Sequence, residues 1–273
     1  MADTLRDRFW IWGHEAGSYH RLPGNPWHLP GPPSRLTPAE AADDMGIPNV
    51  MMVRFGNRPR PPFREPATPL RSLRRQVWSI VGDAGSTDND REPDLQSVLD
   101  LATEFPNLSG AIMDDFFRKD PARPGRYSVD QVDSFRRRLH DGPRPLDLYA
   151  VTYTHNLDLP IAGHLAAVDA TTFWTWHGSQ LWDLEANFGR LEALAPGLRK
   201  LLGIYLWDFG AGAPLPPGVM EHQCRLGLEW LRSGRVEGLV FLASCLVDCD
   251  IEAVHDARRL IAAVGDEPLP PRA

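Results

Sequence analysis

Short apolar runs alternate with longer stretches whose apolar positions recur every three or four residues, and the rhythm holds almost from end to end. The runs RFWIWGHE (8–15), NVMMVRFG (49–56), WSIVGDAG (78–85), GAIMDDFF (110–117), LDLYAVTYTH (146–155), ATTFWTW (170–176), LLGIYLWDFG (201–210) and VEGLVFLAS (236–244) predict strands. The intervening segments 37–46, 70–77, 94–105, 128–140, 161–168, 181–200, 218–234 and 251–265 predict helices. The first of these carries its own start signal. Thr37 stands at the N-cap, Pro38 at the first helical position and Glu40 where a capping box needs a carboxylate.

Eight strand–helix units in succession imply a parallel sheet, and near-continuous apolar strands imply that both faces are covered. Eight repeats close most simply as an α/β, (β/α)8 TIM barrel. The expected organisation is one domain over residues 1–273, with DEPLPPRA (266–273) as a frayed, flexible tail. An open doubly wound sheet would carry a Gly-rich fingerprint after the first strand, and WIWGHEAGSYH has none. No cofactor is expected.

Composition narrows the partners. The chain is 42% hydrophobic and 24% charged, a soluble globular balance. A net charge of −7 argues against a nucleic-acid partner, whose phosphates need a basic surface. The arginine-rich stretches 70–75 and 135–139 read as solvated helix faces. No apolar run is long enough for a membrane span, and MADTLRDRFW lacks an apolar signal-peptide core. Cys224, Cys245 and Cys249 form no disulfide framework, which fits a reducing cytoplasm, and no pair of histidines completes a zinc site. The chain carries no signal for its oligomeric state.

In a (β/α)8 barrel the chemistry sits at the C-terminal ends of the strands. Those ends supply His14, Glu15, Arg54, Asp83, Asp114, Asp115, Tyr153, His155, Trp174, Trp176, Trp207, Asp208, Ser244 and Cys245. Most telling is GAIMDDFF, where two adjacent carboxylates stand between apolar residues. Burying either is costly unless it is paired, hydrogen-bonded or protonated. In a regular strand Asp114 and Asp115 point to opposite faces, so only one need face the mouth. Trp174 and Trp176 alternate and should share a face, and Trp207 precedes Asp208 on the next strand. Flat indoles beside acids suit a small carbohydrate, whose faces are apolar and whose edges are hydroxyls.

An acid ending the fourth strand (IMDDFF, 112–117) and another ending the seventh (IYLWDFG, 204–210) resemble the layout of many (β/α)8 glycoside hydrolases. The resemblance implies a glycosidase with Asp115 as general acid, Asp208 as nucleophile or general base, and Asp114 orienting or tuning Asp115. The expected substrate-binding groups are His14, Glu15, Arg54, Asp83, Tyr153, His155, Trp174, Trp176 and Trp207, with no metal. Aspartates reach less far than glutamates, which points to the wider carboxyl spacing of an inverting enzyme, roughly 6.5–9.5 Å.

Three rival readings share the rim. His14, Glu15, Asp83, Asp115, His155 and Asp208 offer the oxygen and nitrogen donors of a metal-dependent sugar isomerase or epimerase. FGAG (209–212) stands where many barrels bind phosphate, though the eighth strand brings no second Gly-rich loop. A barrel that binds carbohydrate without catalysis fits the same residues.

Overall fold

The computed structural model describes residues 3–89 and 91–270. Its strands are β1 (Phe9–Gly13), β2 (Asn49–Met52), β3 (Arg75–Val81), β4 (Leu108–Met113), β5 (Asp147–Tyr153), β6 (Ala170–Trp174), β7 (Arg199–Tyr205) and β8 (Gly238–Leu242). They hydrogen-bond in chain order and close into a barrel. The helices are α1 (Pro38–Asp44), α2 (Arg64–Ala67), α3 (Leu95–Glu104), α4 (Val129–His140), α5 (Ala162–Ala166), α6 (Leu184–Leu194), α7 (Val219–Arg232) and α8 (Glu252–Val264). The expected (β/α)8 TIM barrel is the observed fold.

The chain divides into two compact units. One runs up to Val50 and takes in Thr175–Ala186 and the chain from Lys200; the other comprises Met51–Trp174 and Asn187–Arg199. In the first, β7, β8 and β1 pair in parallel, with Leu201 opposite Gly238 and Phe9 opposite Leu239. The rings of Phe9 and Phe241 meet edge to face at 5.9 Å. In the second, β3, β4, β5 and β6 pair in parallel. Gly110 is required there, because a Cβ would lie 2.7 Å from the Asp147 carbonyl oxygen and 2.8 Å from the Tyr149 ring. Phe63 stacks on the buried Trp78 at 4.9 Å. Each such side chain withdrawn from water contributes about 1.5–3 kcal/mol.

Local signals set the helix starts. The Thr37–Glu40 capping box forms at α1, and a second, Ser128–Gln131, opens α4. Helix α3 turns Leu95, Val98, Leu101 and Ala102 inward, as its spacing predicts.

Tertiary pairing overrode the pattern in several places. Residues 70–77 are not a helix. A 3-10 turn, Thr68–Ser72, follows the one-turn α2, and β3 begins at Arg75. Gln76 and Val77 are committed to β4, opposite Leu108 and Gly110. Arg71, expected on a solvated helix face, lies over the Phe105 ring at 4.0 Å. The segment 181–200 opens as a 3-10 turn (Gly178–Asp183), is helical only through α6, and ends in β7. Within the segment expected as a tail, the Leu269 N–H donates to Asp3 O at 2.9 Å. Residues 271–273 lie outside the described residues.

All eight strands stop earlier than their apolar runs, so most rim residues sit in the loops beyond them. Strand β6 ends at Trp174, so the alternation that placed Trp176 beside it does not operate. Likewise β4 ends at Met113, and a turn, not strand alternation, decides where Asp114 and Asp115 point.

Candidate functional site

The acids after β3 and β4 converge within one unit. The Asp114 N–H donates to Val81 O at 2.8 Å, extending the β3–β4 pairing one residue past the strand. The Asp115 N–H then turns back to Asp114 Oδ1 at 2.8 Å. This local bond accompanies a left-handed backbone at Asp115, with φ of 39°, a region aspartate enters more readily than bulkier residues. The turn presents the half-buried Asp115 carboxylate to two donors. Tyr153, at the end of β5, donates its hydroxyl to Oδ1 at 2.8 Å, and the Ala84 N–H donates to Oδ2 at 2.9 Å. His155 is exposed and stacks flat on the Tyr153 ring, 5.1 Å between centroids and 8° between planes.

The two carboxyls differ in environment. Asp114 is 4% exposed, and its Oδ1 accepts the Asp115 N–H. Burial, then the charges of Asp115 and Asp83, push its pKa well above the ordinary carboxylate range. Burial also raises Asp115, but the Ala84 N–H and the Tyr153 hydroxyl oppose it by favouring the ionised form. The donors that favour ionisation therefore act on Asp115, while Asp114 is the more deeply buried of the two.

Asp83 closes its own loop. Its Oδ1 accepts from the Ser86 hydroxyl at 2.6 Å and from the Gly56 N–H at 2.9 Å, and its Oδ2 from the Gly85 N–H at 3.0 Å. It acts on the acid pair through its charge.

Arg54 does not fit a hydroxyl-binding role. Its side chain is 1% exposed and pairs with Asp94 at 2.5 Å and Asp88 at 2.6 Å, while Nε donates to Pro59 O at 3.1 Å. A guanidinium so buried has to be paired, and with Asn57 O accepting from Nη2 at 3.2 Å these partners take up four of its five donors.

The remaining rim residues are described within their own units. Trp174 is buried and donates its indole N–H to Thr172 Oγ1 at 2.8 Å, a packing role in place of the expected sugar platform. In the other unit Trp207 is also buried, donating to Trp27 O at 2.9 Å. Asp208 is 5% exposed; its Oδ1 accepts the Ala211 N–H at 3.0 Å and caps the loop that follows. A side chain at Gly178 would meet Asp208 Oδ2 at 2.6 Å, so glycine permits that close approach. Trp176 is half-buried and lies 5.8 Å from the Phe209 ring. His14 is buried, with its ring 5.1 Å from that of Tyr19. Glu15 pairs with Arg21 at 3.7 Å. Ser244 and Cys245 are buried, Ser244 Oγ accepting the His14 N–H at 3.0 Å.

Two contributors escaped the sequence reading. The Ala84 N–H is a backbone donor, invisible in residue type. Arg126 lies thirteen residues past β4 in an irregular loop, where no periodicity marks it. Among the described residues no three His, Cys, Asp or Glu side chains converge as a metal site requires, and no helix is long and apolar enough to cross a membrane.

No family model matches the chain, and no curated protein matches it. Solved structures do. A xylanase-alpha-amylase inhibitor protein in complex with trehalose is 14% identical, with 94% of this chain and 98% of that one covered and a TM-score of 0.57. A second form of such an inhibitor is 14% identical, covering 97% and 99%, with a TM-score of 0.56. A GH18 chitinase from Pseudoalteromonas aurantia is 12% identical, covering 94% and 99%, with a TM-score of 0.54. The chain shares the closed eight-stranded α/β barrel fold with these proteins. At these identities the likeness is one of fold.

Proposed function

We propose that the protein hydrolyses glycosidic bonds, with the Asp114–Asp115 pair as its proton-handling centre. The observation that carries this reading is the asymmetry of the pair. One carboxyl is buried, and burial together with neighbouring negative charge favours its protonated form. Its neighbour is half-buried and accepts two hydrogen bonds that favour its ionised form. Cleavage of a glycosidic bond needs a carboxylic acid and a carboxylate in distinct roles, and environments that push two pKa values apart create them. Asp114 is then the proton donor and Asp115 the ionised group. The sequence expectation has Asp115 as general acid, Asp114 orienting it and Asp208 as nucleophile or general base; here Asp114 takes the acid's role. Asp208 belongs to the other unit, and its part in the reaction is a separate proposal that Asp208→Asn tests.

A small carbohydrate is the proposed ligand. The flat His155 face beside Tyr153 offers an apolar surface at the acid pair, in place of the buried Trp174 and Trp207. The trehalose complex of an inhibitor protein with this fold supports carbohydrate as the ligand class. It also favours a second reading, a barrel that binds sugar without cleaving it.

The test is turnover of a panel of aryl glycosides and oligosaccharides by the protein and its Asp114→Asn and Asp115→Asn variants. Each substitution should lower the rate by roughly 10²–10⁴-fold, the usual worth of a proton-transfer group. The product anomer, read by NMR in the first turnovers, separates inversion from retention. Sugar binding with no turnover would favour the binding barrel, and activity lost to a chelator would favour the isomerase. Full activity in Asp114→Asn and Asp115→Asn would remove the site.

A further inference from the structure

Arg126 reaches across from the β4–α4 loop to the loop that follows β3. Its Nη1 donates to Gly82 O at 2.6 Å and approaches Asp83 O at 3.5 Å; its Nη2 donates to Ser86 O at 2.8 Å and Asn89 Oδ1 at 3.1 Å. The anchoring end is fixed as well. The Arg126 N–H donates to Phe116 O at 3.0 Å, and the next residue, Tyr127, donates its hydroxyl to Asn89 O at 2.5 Å. Gly125 lets this strap pass close to α5, since a Cβ would lie 2.7 Å from the His164 ring. Ala84, the backbone donor to Asp115, lies inside the clamped segment, between Asp83 and Ser86.

We propose that Arg126 is a positioning residue for the acid pair, locking the β3–α3 loop so that the Ala84 N–H meets Asp115 while placing a fixed positive charge beside both carboxyls. A planar guanidinium can span carbonyls in several directions at once, whereas a lysine offers one ammonium point. Among the described residues, the charged or titratable groups facing the pair are Asp83, Tyr153 and Arg126, with His155 stacked on Tyr153, besides Asp114 and Asp115 themselves. Of these Arg126 carries a fixed positive charge, and it favours the ionised form of each acid.

The inference deepens the hydrolase reading but is tested without a substrate. Carboxyl ¹³C shifts of Asp114 and Asp115 are followed against pH, with Ala84 amide hydrogen exchange, in the wild type, Arg126→Met and Arg126→Lys. Arg126→Met should move both carboxyl midpoints upward and speed Ala84 exchange about two- to tenfold, the worth of one hydrogen bond. Arg126→Lys should return the Asp114 midpoint toward wild type, because the charge is restored. Ala84 should still exchange fast, because the fork is not. Unchanged midpoints in Arg126→Met, or normal Ala84 exchange in both variants, would overturn the proposal. Should Arg126→Met fail to fold, Arg126→Lys decides alone: unaltered Ala84 exchange there refutes the clamp. None of these results depends on hydrolase activity, and absence of activity would leave this test standing.

Discussion

Tyr153→Phe removes one oxygen and nothing else from the acid pair's surroundings. The ring that stacks on His155 stays, so the packing at the end of β5 is preserved. What is lost is the hydroxyl donated to Asp115 Oδ1 at 2.8 Å. A hydrogen bond to a charged group contributes about 1.5–3 kcal/mol. Because about 1.36 kcal/mol corresponds to one pKa unit, the full loss would raise the Asp115 midpoint by about one to two units. Asp115 is half-buried and keeps the Ala84 N–H on its other oxygen, so water replaces part of the lost bond. The lower end, about one unit, is the expected result. The sign follows from the donor's preference: a hydroxyl favours the ionised carboxylate, and its removal favours the protonated one. The assay is a carboxyl ¹³C titration of Asp115 in both proteins, and in an active enzyme the acid limb of kcat/KM against pH should move upward by the same amount. An unchanged or lowered midpoint in a folded variant would refute the account of the pair.

Two further outcomes test the energetics. Asp114 has a folded pKa above its unfolded value, so its stabilising effect is complete below the unfolded carboxylate range and is lost as pH rises through the folded value. Asp114→Asn should therefore gain stability relative to wild type as pH rises, by about 2 °C in Tm for each ~1 kcal/mol of penalty removed; parallel Tm-against-pH curves would refute this. Arg54→Met leaves Asp94 without its buried partner and should cost about 3–5 kcal/mol in urea denaturation, whereas a sugar-binding arginine would leave stability near wild type.

Much of the architecture is local, and local signals are written in residue order. Thr37–Glu40 and Ser128–Gln131 start their helices through contacts three residues apart, and α3 buries the face its spacing marks. Apolar runs of strand length, repeated eight times, sufficed for the barrel. The pair Asp114–Asp115 was legible for the same reason, since adjacent acids in an apolar run stand out in the sequence itself. Other features depend on residues far apart in the chain. Val77 is in a strand because Gly110 pairs with it, which overrules a helical spacing. Arg54 stands at a strand end like a ligand-binding residue, yet Asp88 and Asp94, more than thirty residues later, make it a buried ion-pair partner. The different surroundings of the two acids rest on a backbone N–H from Ala84, a hydroxyl from Tyr153 and the charge of Arg126, three groups on separate segments. A sequence shows which carboxyls are present; burial and donors brought in by the fold decide which of them keeps its proton.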